Sequence, residues 1–351
     1  MQRVPPTGFI VFLLHKEAAT MNEEKELSTY LELLAHLKEK DLAKQGLMAL
    51  EGRIVIEKAL EAGIVPRILV CTEAEKDYWH ARTKEENSMV GAHTPRSREL
   101  DFPIYTTSHE ALCSLVDFKF HRGAIAMADV PELELFDMEH NSQLHQFHRA
   151  HCTHAVWSPT IAGVRAPLGR QRPFYLCLWN VTDPSNLGAL IRTAAGFGVD
   201  GVLIGPGCAS PFYRKAIRAS MGNVFVLPLW SVDVHGLEKL KQNGAVLVAA
   251  ALDENSMALE ELVKELEKLE SSFGASEDEY IKDESSVVGC AQNSPIILLL
   301  GNEGYGLPAE VLGLSSIHVR IPMERGVDSL NVAVAGGILM YEIIRAPQSL
   351  C

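Results

Sequence analysis

Two tandem α/β units, the second built on a parallel sheet, are the fold class this sequence predicts, and three observations carry it. The chain has 351 residues, against about 100–200 for an ordinary domain, so two domains are expected. Helical and strand periodicities alternate in two blocks, separated by a polar stretch rich in His, Pro and Arg. The second block contains Ile-Ile-Leu-Leu-Leu at 296–300, apolar at every position, as expected of a central strand covered on both faces.

After an N-terminal extension, residues 1–23, the first unit spans residues 24–131. Within 24–40, Leu27, Leu31, Leu34 and Leu37 recur at helical spacing with charge on the other face. The run LMALEGRIVIEKALEAG predicts a helix ending at Gly63, and Pro66 turns the chain into a strand at 67–71. Ser108 is placed to cap a further helix, and residues 123–128 read as a strand. Residues 132–172 read as a linker.

The second unit, 173–346, has the stronger rhythm. Strand 174–179 leads to helix 187–197, strand 201–204, helix 213–220 and strand 224–228. Helix 234–242 and strand 245–250 follow, then strands 296–300 and 318–321 and a closing helix 329–344. An acidic insert, 253–294, interrupts this order. Its MALEELVKELEKLE has helical spacing and the rest has none, so the insert is expected to stand out in solvent.

Composition narrows the function. Apolar residues make up 47% and charged residues 22%, which excludes a mainly disordered chain. No apolar run reaches the ~18 residues that span a bilayer. The net charge is −13, of which residues 253–290 supply −9, twelve acidic residues against three lysines. That balance excludes a polycation coating nucleic acid, and leaves room for a local basic patch. Seven scattered cysteines with no C-x-x-C pair fit a reducing compartment, the cytoplasm first and a mitochondrion or plastid as the alternative. Residues 1–14 hold one arginine and a short apolar stretch, with no small-residue cleavage site after it.

Ligands of open parallel sheets bind outside the carboxyl ends of the strands, and three segments at such ends carry unusual residues. In NVTDPSNLGALIRTAA, Asp183-Pro184 signals a turn, Ser185 or Asn186 can cap the helix, and Arg192 follows one turn after Gly188. By itself this reads first as a capped helix with a solvated arginine, and only second as a guanidinium aimed at phosphate or sugar. In LGNEGYGLP, three glycines after a buried strand give a sharply turning backbone with room for a ligand, and Glu303 can accept from a hydroxyl or amine. In IPMERGVDSLNVAVAGG, a strand stops at Pro322, Ser329 is a candidate cap, and Ala333, Ala335, Gly336 and Gly337 allow very close packing.

Together and in this order, these segments resemble the SpoU (TrmH) family of SPOUT RNA 2′-O-ribose methyltransferases, over residues 174–344 apart from the insert. The stretch Tyr213-Arg-Lys-Ala-Ile-Arg218-Ala-Ser220-Met-Gly222 looks like the family's R-x-S-x-G segment. LEGRIVIEKALEAG with HRGAIAMA is similar to the small α/β substrate-binding domain that many members carry ahead of the catalytic one. The resemblance implies a C-terminal SPOUT domain with a deep trefoil knot, an exception to the rule that chains do not thread. It implies S-adenosylmethionine as cofactor, held by the loops 299–306 and 321–330. The residues it assigns there are Leu299, Gly301, Asn302, Gly306, Ile321, Met323 and Leu330.

It further implies catalytic roles for Arg192, Asn186, Glu303, Ser329 and Asn331, with Arg192 orienting the ribose and its phosphate rather than taking the proton. RNA requires a positive surface. Arg214, Lys215 and Arg218 are expected beside Arg192 on the strand-end side, with Arg53 and Arg67 extending it. The expected partners are rRNA, ahead of tRNA, and a second copy of the chain. The rival reading is an RNA-binding relative that has lost catalysis. No metal is expected: His140, His145, His148, His151, Cys152 and His154 crowd the linker without paired Cys or acidic ligands at metal spacing. Gly205-Pro-Gly207 lacks the third glycine of a dinucleotide fingerprint.

Overall fold

The computed structural model describes residues 42, 44–85, 102–114, 123–137, 172–271, 295–324 and 329–345. These fall into two compact units, one drawn from Met1–Glu132 and Pro211–Val226, the other from Leu133–Ser210 and Leu227–Cys351. The leucine-spaced helix expected at 24–40 lies outside the described residues.

The first unit begins with β1 (Leu47–Glu51) and α1 (Arg53–Glu61). Gly52, at φ 87°, makes the turn between them in a conformation that favours glycine. The helix buries Val55, Ile56, Ala59 and Leu60, a 3.6-residue spacing. Then come β2 (Ile68–Thr72), α2 (Glu73–Glu85), β3 (Ile104–Thr107), α3 (His109–Ser114) and β4 (Ala124–Asp129). The polar sequence of α2 hid it from periodicity. It is anchored by the buried Trp79, whose Nε1 donates to Glu75 Oε2 at 3.1 Å. Ser108 caps α3 as expected, accepting from Ala111 N at 3.1 Å. The sheet order is β1-β4-β2-β3, with only β2 and β3 parallel.

The second unit contains β5 (Phe174–Leu178), α4 (Pro184–Gly196) and β6 (Gly201–Ile204). The chain then contributes α5 (Arg214–Ala219) to the first unit and returns as β7 (Leu229–Ser231), α6 (Val234–Gln242) and β8 (Val246–Ala250). It continues through β9 (Met257–Ala258), α7 (Leu259–Ser271), β10 (Ile296–Leu300), α8 (Ala309–Leu314), β11 (Ile317–Arg320) and α9 (Val332–Arg345). Its seven strands run in the order β7-β6-β5-β10-β8-β11-β9, and every pairing is parallel. The apolar strand β10 is fully buried between β5 and β8. On one face α9 packs closely: a Cβ on Gly336 would stand 2.5 Å from Leu190 and 2.6 Å from Leu300. The other face is a core built from residues such as Tyr175, Leu203, Trp230, Leu247 and Leu299.

Several expectations are corrected. The strand expected at 224–228 is Leu229–Ser231; residues 223–225 form a 3₁₀ turn and Pro228 has no N–H for a ladder. The acidic insert does not leave the fold at residue 253: β9 adds a strand beside β11, and α7 buries Leu259, Leu262 and Leu266, one apolar face at helical spacing. Residues 272–294 lie outside the description. At 133–137 the supposed linker is already part of the second unit, since Phe136 is buried against Tyr175 and Trp230 and Leu135 bridges to Ser231. The cap of α4 is Asp183, not Ser185 or Asn186, with Pro184 at the first position. Asn331, not Ser329, caps α9 by accepting from Ala333 N at 2.9 Å.

Candidate cofactor pocket and active site

Beyond the carboxyl ends of β10, β8 and β11 lies one cavity of about 480 Å³. The loop after β10 supplies Gly301, Asn302, Glu303 and Gly306; the segment after β11 supplies Ile321, Met323, Ser329 and Leu330; the turn after β8 supplies Leu252 and Asp253. Leu299, expected there, is instead buried in the core, because alternate residues of a strand face opposite ways; its neighbour Leu300 lines the cavity.

The β10 loop is locked. A Cβ on Gly301 would sit 2.4 Å from the carbonyl carbon of Gly306 and 2.6 Å from Leu307 N, so the chain folds back over a residue with no side chain. Asn302 and Gly306 exchange both backbone hydrogen bonds, at 3.1 and 2.9 Å. The Asn302 side chain holds the turn: Nδ2 donates to Asn180 O at 2.9 Å, and Oδ1 accepts from Gly304 N at 2.8 Å and Tyr305 N at 3.2 Å. Three of its four hydrogen-bonding positions thus hold the loop's shape.

At this end of the sheet the three segments meet. Asn331 Nδ2 donates to Asn186 Oδ1 at 3.0 Å, and Asn186 Nδ2 donates to Glu303 Oε1 at 2.5 Å. The linked residues are 145 and 117 positions apart in sequence. Ser329 is exposed at the cavity. Arg192 is exposed on α4 beyond Asn186, outside this hydrogen-bonded row.

The residues of the expected basic cluster fall in both units. Arg192 belongs to the second unit, while Arg53, Arg214, Lys215 and Arg218 belong to the first. There Arg214 is not available to a ligand as expected: its Nε is bonded to the buried Glu51, and Arg218 Nη1 lies 3.6 Å from the same carboxylate. The reason is burial, since Glu51 ends a fully buried strand and an unpaired carboxylate there is costly. Lys58 ties the same segment down, donating to Met221 O and Asn223 Oδ1. Arg53 lies over the Tyr78 ring at 3.3 Å, and Arg67 pairs with Asp129 at 2.8 Å. Lys215 is exposed.

Cys208 donates to Leu178 O at 3.3 Å, and burial pushes its thiol up to about 11. It is a packing group and no nucleophile. The histidines and Cys152 of the linker lie outside the described residues; among those described, no three His, Cys, Asp or Glu side chains gather as a metal site. No helix among them is long and apolar enough to cross a membrane.

A locked glycine loop, a polar row and one cavity beyond the carboxyl ends of central strands define an open parallel α/β protein with a small-molecule site. Residues 173–341 match the SpoU rRNA Methylase family. The chain is 30% identical over 308 residues to "Uncharacterized tRNA/rRNA methyltransferase Rv0881" of Mycobacterium tuberculosis, covering 86% of this chain and 82% of that one. It is 25% identical over 306 residues to the 23S rRNA (guanosine(2553)-2'-O)-methyltransferase RlmP of Bacillus subtilis, covering 87% and 91%. In fold it is similar to an AdoMet-bound rRNA methyltransferase from Sinorhizobium meliloti, with a TM-score of 0.61 at 20% identity and coverage of 94% and 97%. This chain belongs to the SpoU rRNA methylase family.

Proposed function

We propose that the protein transfers a methyl group from S-adenosylmethionine to a ribose 2′-hydroxyl of structured RNA, ribosomal RNA ahead of transfer RNA. The observation that carries this reading is the row Asn331–Asn186–Glu303, whose Glu303 lines the cavity. The cavity suits the cofactor: its volume is in the range of about 300–1,000 Å³ usual for such ligands, and at Gly301 no side chain intrudes. The Bacillus subtilis relative, by its name a 2′-O-methyltransferase of 23S rRNA, supports the target and the preference for rRNA.

When bound, the cofactor supplies a methyl group already activated by its sulfonium charge. What remains for the chain is placement, because a ribose hydroxyl is a poor nucleophile at neutral pH. Glu303 gives one oxygen to Asn186 and keeps the other for a hydroxyl donor. Asn186 and Asn331 hold that carboxylate in one orientation. The Arg192 guanidinium, a planar multiple donor, orients the ribose and its phosphate and stabilises negative charge growing on the oxygen. Ser329 adds a hydroxyl at the same cavity.

The same reading takes the loops around β10 and β11 as the trefoil knot and the first unit as the RNA-holding domain. It takes α9, with Val334 and Tyr341 about half exposed, as the face for a second copy. It keeps a reducing compartment, the cytoplasm first, on the scattered cysteines of the sequence alone. The test is a map of 2′-O-methylated sites in total RNA with and without the gene, followed by restoration with wild-type protein or Arg192→Ala. One or more sites disappear, the wild type restores them and the variant does not. An unchanged map overturns the proposal.

A further inference from the structure

Asp253 opens the acidic insert, yet it lines the cavity and is tied into the sheet. Its Oδ1 accepts from Asn255 N at 2.9 Å and from Ser256 Oγ at 2.9 Å. Its Oδ2 faces His318 Nδ1 at 2.7 Å, while His318 Nε2 is 3.1 Å from Leu312 O. A carboxylate offers about four acceptor positions, and these partners fill at most three. The carboxylate side chain remains 32% exposed. A negatively charged acceptor, oriented by three neighbours and holding one position open, thus stands in the wall of the pocket.

Its place in the sheet says which part of a ligand it meets. The row Asn186–Glu303 stands over the ends of β5 and β10, where the reacting methyl must be delivered. Asp253 follows β8 and is bonded to β11, on the far side of β10. Neighbouring strands are about 4.8 Å apart, so the two sites are separated by roughly 10 Å. The longer arm on the cofactor's sulfur is the adenosine, whose hydroxyls and amino group are donors. The apolar Leu252, Val319 and Ile321 beside Asp253 suit a purine face.

We infer that Asp253 is a cofactor-positioning residue that accepts a hydrogen bond from the adenosine half of S-adenosylmethionine. The inference rests on the cofactor reading above. It is tested by calorimetry on the full chain with S-adenosylhomocysteine and with 5′-methylthioadenosine, which lacks the amino-acid arm. Asp253→Ala weakens both by the same factor, about ten- to hundredfold for the loss of a hydrogen bond to a charged group. Asp253→Asn, which keeps the shape and the Asn255 contact, weakens both by less. Ser256→Ala, which removes one loop contact and leaves the Asp253 carboxylate itself intact, changes affinity less than twofold.

Unchanged affinity in Asp253→Ala and Asp253→Asn overturns the inference. So does a loss confined to S-adenosylhomocysteine, which would place the contact on the amino-acid arm. A loss in Ser256→Ala equal to that in Asp253→Ala overturns it as well, reducing the residue to loop order. Wild-type protein that binds neither compound removes the cofactor reading and this inference with it, an outcome separate from the others.

Discussion

Asn331 Nδ2 donates to Asn186 Oδ1 across 3.0 Å, joining the start of the closing helix to the first turn of α4. The same Asn186 amide then donates to Glu303. A side chain with both ends occupied cannot rotate freely, and that is how a carboxylate on a surface loop is given one direction.

Because the row is linked, its members act together. Asn186→Ala and Asn331→Ala each reduce single-turnover methyl transfer, by about 10²–10³ and somewhat less, on the scale of a lost oriented donor. The double variant loses much less than the product of the two, since groups in one network are not additive. A double-mutant cycle with cofactor affinity measured alongside checks this; fully multiplicative losses would contradict the network.

Two glycines of the β10 loop behave differently. Gly301→Ala drives a methyl group into the backbone of Gly306 and Leu307, and overpacking of that kind costs about 1–3 kcal/mol. Calorimetry with S-adenosylhomocysteine is expected to show binding lost. Gly306 has open space around it but a φ of +69°, so Gly306→Ala costs only the left-handed strain, about 1–2 kcal/mol, and binding is weakened rather than abolished.

Glu51 anchors the first unit. Glu51→Ala leaves Arg214 buried without its partner, and breaking a buried pair costs about 3–5 kcal/mol. Urea unfolding of the full chain is expected to show the loss in a transition assigned to the first unit. Replacing both residues with apolar ones, Glu51→Leu with Arg214→Met, recovers most of the stability.

Acid acts on Asp253. Burial alone would raise its pKa, but hydrogen bonds from Ser256 and His318 and the charge of His318 outweigh it and hold the carboxyl below its usual value of 3.8. A carboxyl lowered in the folded state contributes stability above its unfolded pKa and loses it as pH falls through the lower folded value. The stability of Asp253→Asn therefore falls less steeply than that of the wild type below about pH 4, which acid titration followed by circular dichroism measures. Parallel curves would remove this contribution.

Much of the molecule is legible in the sequence. Helix 234–242 and strands 201–204 and 296–300 lie where periodicity puts them, because continuous burial and amphipathic spacing are properties of adjacent residues. The loops that line the pocket are legible too, since glycines after a buried strand are visible in one dimension. Helix α2 is not, because a single buried Trp79 in a polar run leaves no periodic trace. The strand at 229–231 is displaced from the expected 224–228 because Val224 is buried in the first unit, and its apolarity mimics strand character. Asp253 has no sequence signal of its own, being one acid among twelve.

Local pattern and motif order were enough to establish a parallel α/β protein of the SpoU family and to point at its loops. Partnership needed three dimensions. Whether Arg214 faces a ligand or closes on Glu51, whether Leu299 or Leu300 meets the cavity, and which asparagine holds Glu303 depend on groups far apart in sequence. Spacing along a chain sets which face a residue occupies, but only packing of distant segments decides what stands opposite that face.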